Sequence, residues 1–151
     1  LWTFCAAQEY TLVSPRLHDE FLLQYQLPII AKFGLSAYGC CEDLTRKIGM
    51  LRQVPNLRRI AATPVADVAR CAEQIGGDYV MSWRPNPTDM VCASFDEARI
   101  RRIIRHGLAA CRANRCPVDI TLKDIETVQG DVTRLARWTR IVNEEIDAFD
   151  W

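Results

Sequence analysis

The feature that most constrains this chain is an alternation. Four short apolar runs, "LSAYG", "LRRIAAT", "DYVMSW" and "VDITL", are separated by stretches with helical spacing of apolar residues. A helix also precedes the first run. Strands alternating with helices at this interval predict parallel strands joined by right-handed crossovers. The fold class is therefore α/β. Two architectures fit: an open doubly wound sheet, or part of a (β/α)8 barrel. A whole barrel takes about 250 residues, so 151 residues supply only about half of one.

Local signals place the helices. Ser14-Pro15 predicts a helix start, because serine caps and proline tolerates the first helical position. Leu17, Phe21, Leu22, Tyr25, Ile29 and Phe33 mark its apolar side, Pro28 predicts a kink, and Gly34 a stop. A second helix is expected from about residue 42 to Pro55. A third follows Thr63-Pro64 and ends at Gly76-Gly77. Ser94-Phe95-Asp96-Glu97 reads as a capping box opening a helix to about Ala113. Asp131 is the expected cap of the last helix, with Leu135, Trp138, Val142, Ile146 and Phe149 along its buried side. "RPNPTD" is a loop. No Gly-rich phosphate loop follows any strand, so a dinucleotide-binding fold has no support.

Composition excludes some functions. Lysine plus arginine balance aspartate plus glutamate at 19 each. No bulk field then attracts nucleic acid or an anionic membrane. No apolar run reaches the roughly 18 residues of a membrane helix. "RIRRIIRHG" is the most basic stretch. Arg99, Arg102 and His106 share one helical face, which reads as a solvated face rather than a phosphate-binding surface. Seven cysteines, an odd number scattered through helices and strands, predict reduced thiols in a cytosolic protein.

Sites in either architecture lie at the C-terminal ends of the strands. Four sets should meet there: Cys40, Cys41 and Glu42; Thr63 and Asp67; Trp83, Arg84 and Asn86; Lys123, Asp124 and Glu126. Thiolate and carboxylate ligands suit zinc, and a cysteine before a helix suits a reactive thiolate. Cys40 and Cys41 fit either role, or that of small buried residues. Lys123-Asp124 suits substrate orientation, proton shuttling or a structural ion pair. Arg84 suits an anionic group or a loop staple. His18 and His106 lie on helices and read as packing or surface residues. Cys71, Cys92, Cys111 and Cys116 lack metal-ligand spacing.

The segments "LVSPRLHDEFLLQYQLPIIAKFG", "YGCCEDLTRKIGMLRQVPNLRRIAATPVADVARCAEQIGGDYVMSWRPNP" and "DITLKDIETV" resemble the C-terminal half of the uroporphyrinogen decarboxylase superfamily, in the branch related to corrinoid-dependent methyltransferases. The resemblance implies half of a TIM (β/α)8 barrel: four parallel strands, five to eight of the family barrel, with alternating helices in a single domain. "LWTFCAAQEY" resembles the tail of strand four and its loop. The activity implied is corrinoid-linked methyl transfer, with porphyrinogen decarboxylation as the alternative. The catalytic aspartate and arginines of the decarboxylating members lie in the other half, so no residue here inherits them. The zinc-binding His-x-Cys pair of the methyltransferases aligns with Tyr38-Gly39-Cys40, and "LKDIET" lacks their further cysteine. Zinc here would need a different ligand set, made by Cys40, Cys41, Glu42 and Asp124. Catalytic roles fall to Lys123, Asp124 and Arg84.

Half a barrel has two open edges and an uncovered inner face. The expected remedy is a homodimer or higher oligomer, or a separate N-terminal half. A non-catalytic oligomeric half-barrel is the competing class.

Overall fold

A computed structural model describes residues 1–149. Five strands form one sheet: β1 (Trp2–Cys5), β2 (Leu35–Tyr38), β3 (Leu57–Ala62), β4 (Val80–Trp83) and β5 (Val118–Ile120). All neighbouring pairs are parallel, in the order β1-β2-β3-β4-β5. The four runs read from sequence are β2 to β5. The additional strand, β1, lies in the segment expected to be only a strand tail.

The helices are α1 (Pro15–His18), α2 (Gln24–Ile30), α3 (Ile48–Leu51), α4 (Val68–Ile75), α5 (Thr88–Val91), α6 (Glu97–Ala113) and α7 (Thr133–Asp147). Side chains alternate across the sheet. Tyr38, Ile60, Ala62, Met81 and Trp83 point to one face and are buried under helices. Trp83 lies against Gly107 of α6, where an added Cβ would meet the indole at 2.2 Å. Register places Trp2, Phe4, Leu35, Ala37, Arg59, Ala61, Val80, Ser82 and Asp119 on the other face. There Trp2 and Phe4 are 52% and 55% exposed. Arg59 joins Asp119 at 2.6 Å and Ser82 at 3.2 Å across three strands.

The helix starts show which local signals prevail. Ser14 caps α1 as expected, its Oγ accepting from Leu17 N–H. A π-helical turn, Asp19–Leu23, then intervenes before α2 and rotates the buried side. His18, Leu23 and Ile30 are buried, whereas Phe21, Tyr25 and Ile29 are exposed. The expected helix over residues 42–55 is mostly loop and turn, with α3 its one helical turn. The Asp43 carboxylate accepts from both the N–H and the hydroxyl of Thr45 and favours a turn.

Thr63-Pro64 forms a turn, and Asp67 caps α4 through Arg70 N–H. The expected capping box is corrected similarly. Asp96, nearer than Ser94, caps α6 through Arg99 N–H, and Glu97 pairs with Arg137 and Arg140. Asp131 holds the start of α7 by accepting from Thr133 N–H. On α7, Leu135 is exposed, while Arg134 and Glu145 are buried. Arg134 bonds the carbonyls of Met90 and Cys92, and Glu145 pairs with Arg101 and Arg105 of α6. Charged groups so matched take positions that apolar spacing assigned elsewhere.

Candidate functional site

Parallel strands bring all their C-terminal ends to one rim, and the loops after them hold the six residues given metal or catalytic roles from sequence, Cys40, Cys41, Glu42, Arg84, Lys123 and Asp124. Gly39 begins the turn after β2. Its φ of +98° and an added Cβ's 2.5 Å approach to Leu44 leave room only for glycine. Cys40, Cys41 and Glu42 follow at once.

Glu42 is fully buried. Its Oε1 accepts from Ala7 N–H at 2.7 Å, and Oε2 accepts from Cys40 N–H at 2.8 Å. The carboxylate thereby ties the loop after β1 to the loop after β2. Arg84, just past β4, donates to the Cys40 carbonyl. Its own N–H bonds Ala62 O at 2.8 Å and extends the ladder toward β3. The Cys40 and Cys41 sulfurs are 3.6 Å apart.

Lys123, beyond β5, donates to Cys41 Sγ at 2.9 Å and to Asp124 Oδ2 at 2.9 Å. Asp124 takes φ +60°, a left-handed conformation uncommon outside glycine. All six residues thus form one connected network. Burial raises the Cys40 thiol pKa, and the Cys41 contact adds to it. The bond to Cys41 raises the Lys123 pKa, so its ammonium stays charged. Cys41 is the one exposed cysteine of the seven, and its sulfur sits beside that ammonium.

The other rim residues do different work. Asp67 caps α4, Asn86 Oδ1 accepts from Thr88 N–H, and Trp83 faces the helices. Glu126 lies exposed in the loop after β5. Thr63 is buried, and its Oγ1 has no hydrogen-bond partner among the described residues.

The predicted zinc ligands do not assemble into a site. Both Glu42 oxygens hold backbone N–H groups, and Cys41 faces an ammonium. Among the described residues, no group of three or more His, Cys, Asp or Glu is placed to hold a metal ion. All seven cysteines are free. No helix among the described residues is long and apolar enough to cross a membrane.

Sequence reasoning missed two buried polar clusters. His18 bonds the Tyr38 hydroxyl at 2.9 Å, and that hydroxyl donates to Gln26. Burial, then the nearby Lys47, pushes the His18 pKa down to about 4. Lys47 is itself buried and donates to the Tyr10 carbonyl at 2.5 Å. Each partner lies far along the chain, so no local motif marks these clusters. Comparison of the chain with models of protein families, with curated proteins and with solved structures finds no match.

Proposed function

We propose that this chain is the C-terminal half of a (β/α)8-barrel enzyme of the uroporphyrinogen decarboxylase superfamily, in its methyl-transfer branch. On this reading the rim supports alkyl transfer to or from sulfur at Cys41. One observation carries the architecture: the strands are parallel and consecutive, β1 to β5. Right-handed crossovers in unbroken order put every helix on the same face. A doubly wound sheet instead reverses its order at a switch point. The helix-free face then needs closing strands, as a barrel provides. The exposed Trp2 and Phe4 and the Arg59–Asp119 pair on that face support this. In the proposed barrel β1 is strand four, and β2 to β5 are strands five to eight. The remaining strands come from a second copy, a separate chain or another stretch of the same polypeptide.

The chemistry rests on this chain's own residues. Lys123 would stabilise the Cys41 thiolate, which forms a C–S bond to the alkyl carbon of a donor as that carbon's bond to its leaving group breaks and the leaving group departs with the electron pair. Asp124 orients Lys123, and Arg84 fixes the Cys40 carbonyl. Zinc does not fit the residues present, and no step is routed through it. No set of described residues identifies a seat for the corrinoid either. The free thiols support a reducing, cytosolic setting, and the balanced charge gives no footing for nucleic acid.

The second reading is the non-catalytic oligomeric half-barrel. It is favoured by Glu42 and Arg84, which spend their charged groups on backbone partners and brace the rim.

Two measurements test the proposal. Light scattering of the 151-residue chain is expected to give a dimer or higher oligomer, and a monodisperse monomer overturns closure by self-association. Mass-spectrometric alkylation timing is expected to show Cys41 reacting several-fold faster than Cys92, with Lys123→Met abolishing the difference. Equal rates in the unmodified protein would assign the rim to the bracing role.

A further inference from the structure

At the C-terminal ends of β3 and β4, on the helix-covered side, a cleft of about 420 Å³ opens between the turn before α4 and the side of α6. This volume falls within the roughly 300–1,000 Å³ of small-ligand sites. Trp83 and Ile103 supply apolar lining. Arg102 and His106, four residues apart on α6, line the same cleft. Both side chains are exposed, as their helical face predicted, and neither has a hydrogen-bond or ion-pair partner among the described residues. Asp89 is the one carboxylate lining the cleft, and Arg99 already pairs with it at 2.5 Å. The remaining lining charge is therefore positive.

A second observation points to a ligand. Thr63 lines the cleft with 1% of its surface exposed, and its Oγ1 lacks a partner among the described residues. A buried hydroxyl left unsatisfied destabilises the fold. That Oγ1 is itself out of solvent's reach, so an acceptor arriving with a ligand removes the cost only by drawing the hydroxyl round toward the cleft.

We propose that this cleft binds a phosphate monoester with a compact apolar body. A phosphate offers three acceptor oxygens and close to two negative charges. Arg102 and His106 from α6 supply donors, and the Thr63 hydroxyl on the opposite wall joins them once it turns toward the cleft. The apolar body lies against Trp83 and Ile103. A carboxylate of the same body carries one charge and two oxygens in a single plane, so it meets donors on opposite walls less well than the three splayed oxygens of a phosphate. The inference does not rest on the barrel reading, because the cleft lies outside the face that a barrel would close.

Calorimetric titration of the full chain with phenyl phosphate, inorganic phosphate and benzoate tests the site. Phenyl phosphate is expected to bind with Kd on the order of 0.1–1 mM, and the other two about tenfold more weakly. Arg102→Ala should weaken phenyl phosphate about tenfold without changing Tm, and Thr63→Val by several-fold. Arg16→Ala, an exposed change on α1, should leave binding intact. Should Thr63→Val fail to fold, Arg102→Ala and His106→Gln carry the test. Absence of binding up to about 10 mM overturns the site. Insensitivity to Arg102→Ala overturns its donor set. Benzoate binding as tightly as phenyl phosphate overturns the phosphate assignment.

Discussion

Replacing Glu42 by glutamine removes one acceptor oxygen and one charge from a fully buried position. The carboxylate holds two backbone donors, Ala7 N–H at 2.7 Å and Cys40 N–H at 2.8 Å. Glutamine can satisfy one of them. Its amide NH2 then faces the other, and a buried donor loses its acceptor. An unsatisfied buried donor costs about 1–3 kcal/mol, and the surviving bond weakens because it is no longer charge-assisted, by about 1 kcal/mol. Lys47, also buried, loses a nearby counter-charge that favours its ammonium. Together the loss is about 2–4 kcal/mol, or roughly 4–16 °C in Tm for a domain of this size. Urea unfolding followed by tryptophan fluorescence and circular dichroism measures it. The midpoint should fall while the slope against denaturant stays constant. A change below about 0.5 kcal/mol would refute the reasoning. Glu42 would then hold neither loop, and its carboxylate would be free for chemistry.

Two further predictions concern packing and pH. Gly107→Ala gains about 1 kcal/mol of helix propensity but drives a Cβ to within 2.2 Å of the buried Trp83 ring. Overpacking of about 1–3 kcal/mol should win, lowering Tm and shifting Trp83 emission; a raised Tm would show that the indole moves freely. His18 is buried and neutral, with its pKa pushed down to about 4 from the ordinary 6.5. The unfolded chain therefore binds the extra proton between these values, and stability falls as pH drops from about 6.5 to 4, by at most about 3 kcal/mol. The unfolding free energy of His18→Gln, measured against pH, should lose that part of the slope; parallel curves for the two proteins would contradict the assignment.

The alternation of apolar runs and helical spacing determined a parallel α/β sheet, because strand and helix periodicities are local properties of the chain. It also determined that Cys40, Cys41, Glu42, Arg84, Lys123 and Asp124 would meet, since parallel strands deliver all their C-terminal loops to one end. The sequence could not tell what each of them would do there. Glu42 became a backbone brace only because the loops after β1 and β2 converge on it. The π-helical turn that buries His18 beside Tyr38 left no mark in the apolar spacing, because it rotates the helix midway. Arg59 and Asp119 lie sixty residues apart and pair only because β4 brings β3 and β5 within reach. In sequence Thr63 marks the approach to a helix, and tertiary structure alone left its hydroxyl buried and without a partner among the described residues beside a cationic cleft. Element type follows from nearest neighbours along the chain. Burial and partnership follow from neighbours in space, which one residue's local context does not encode.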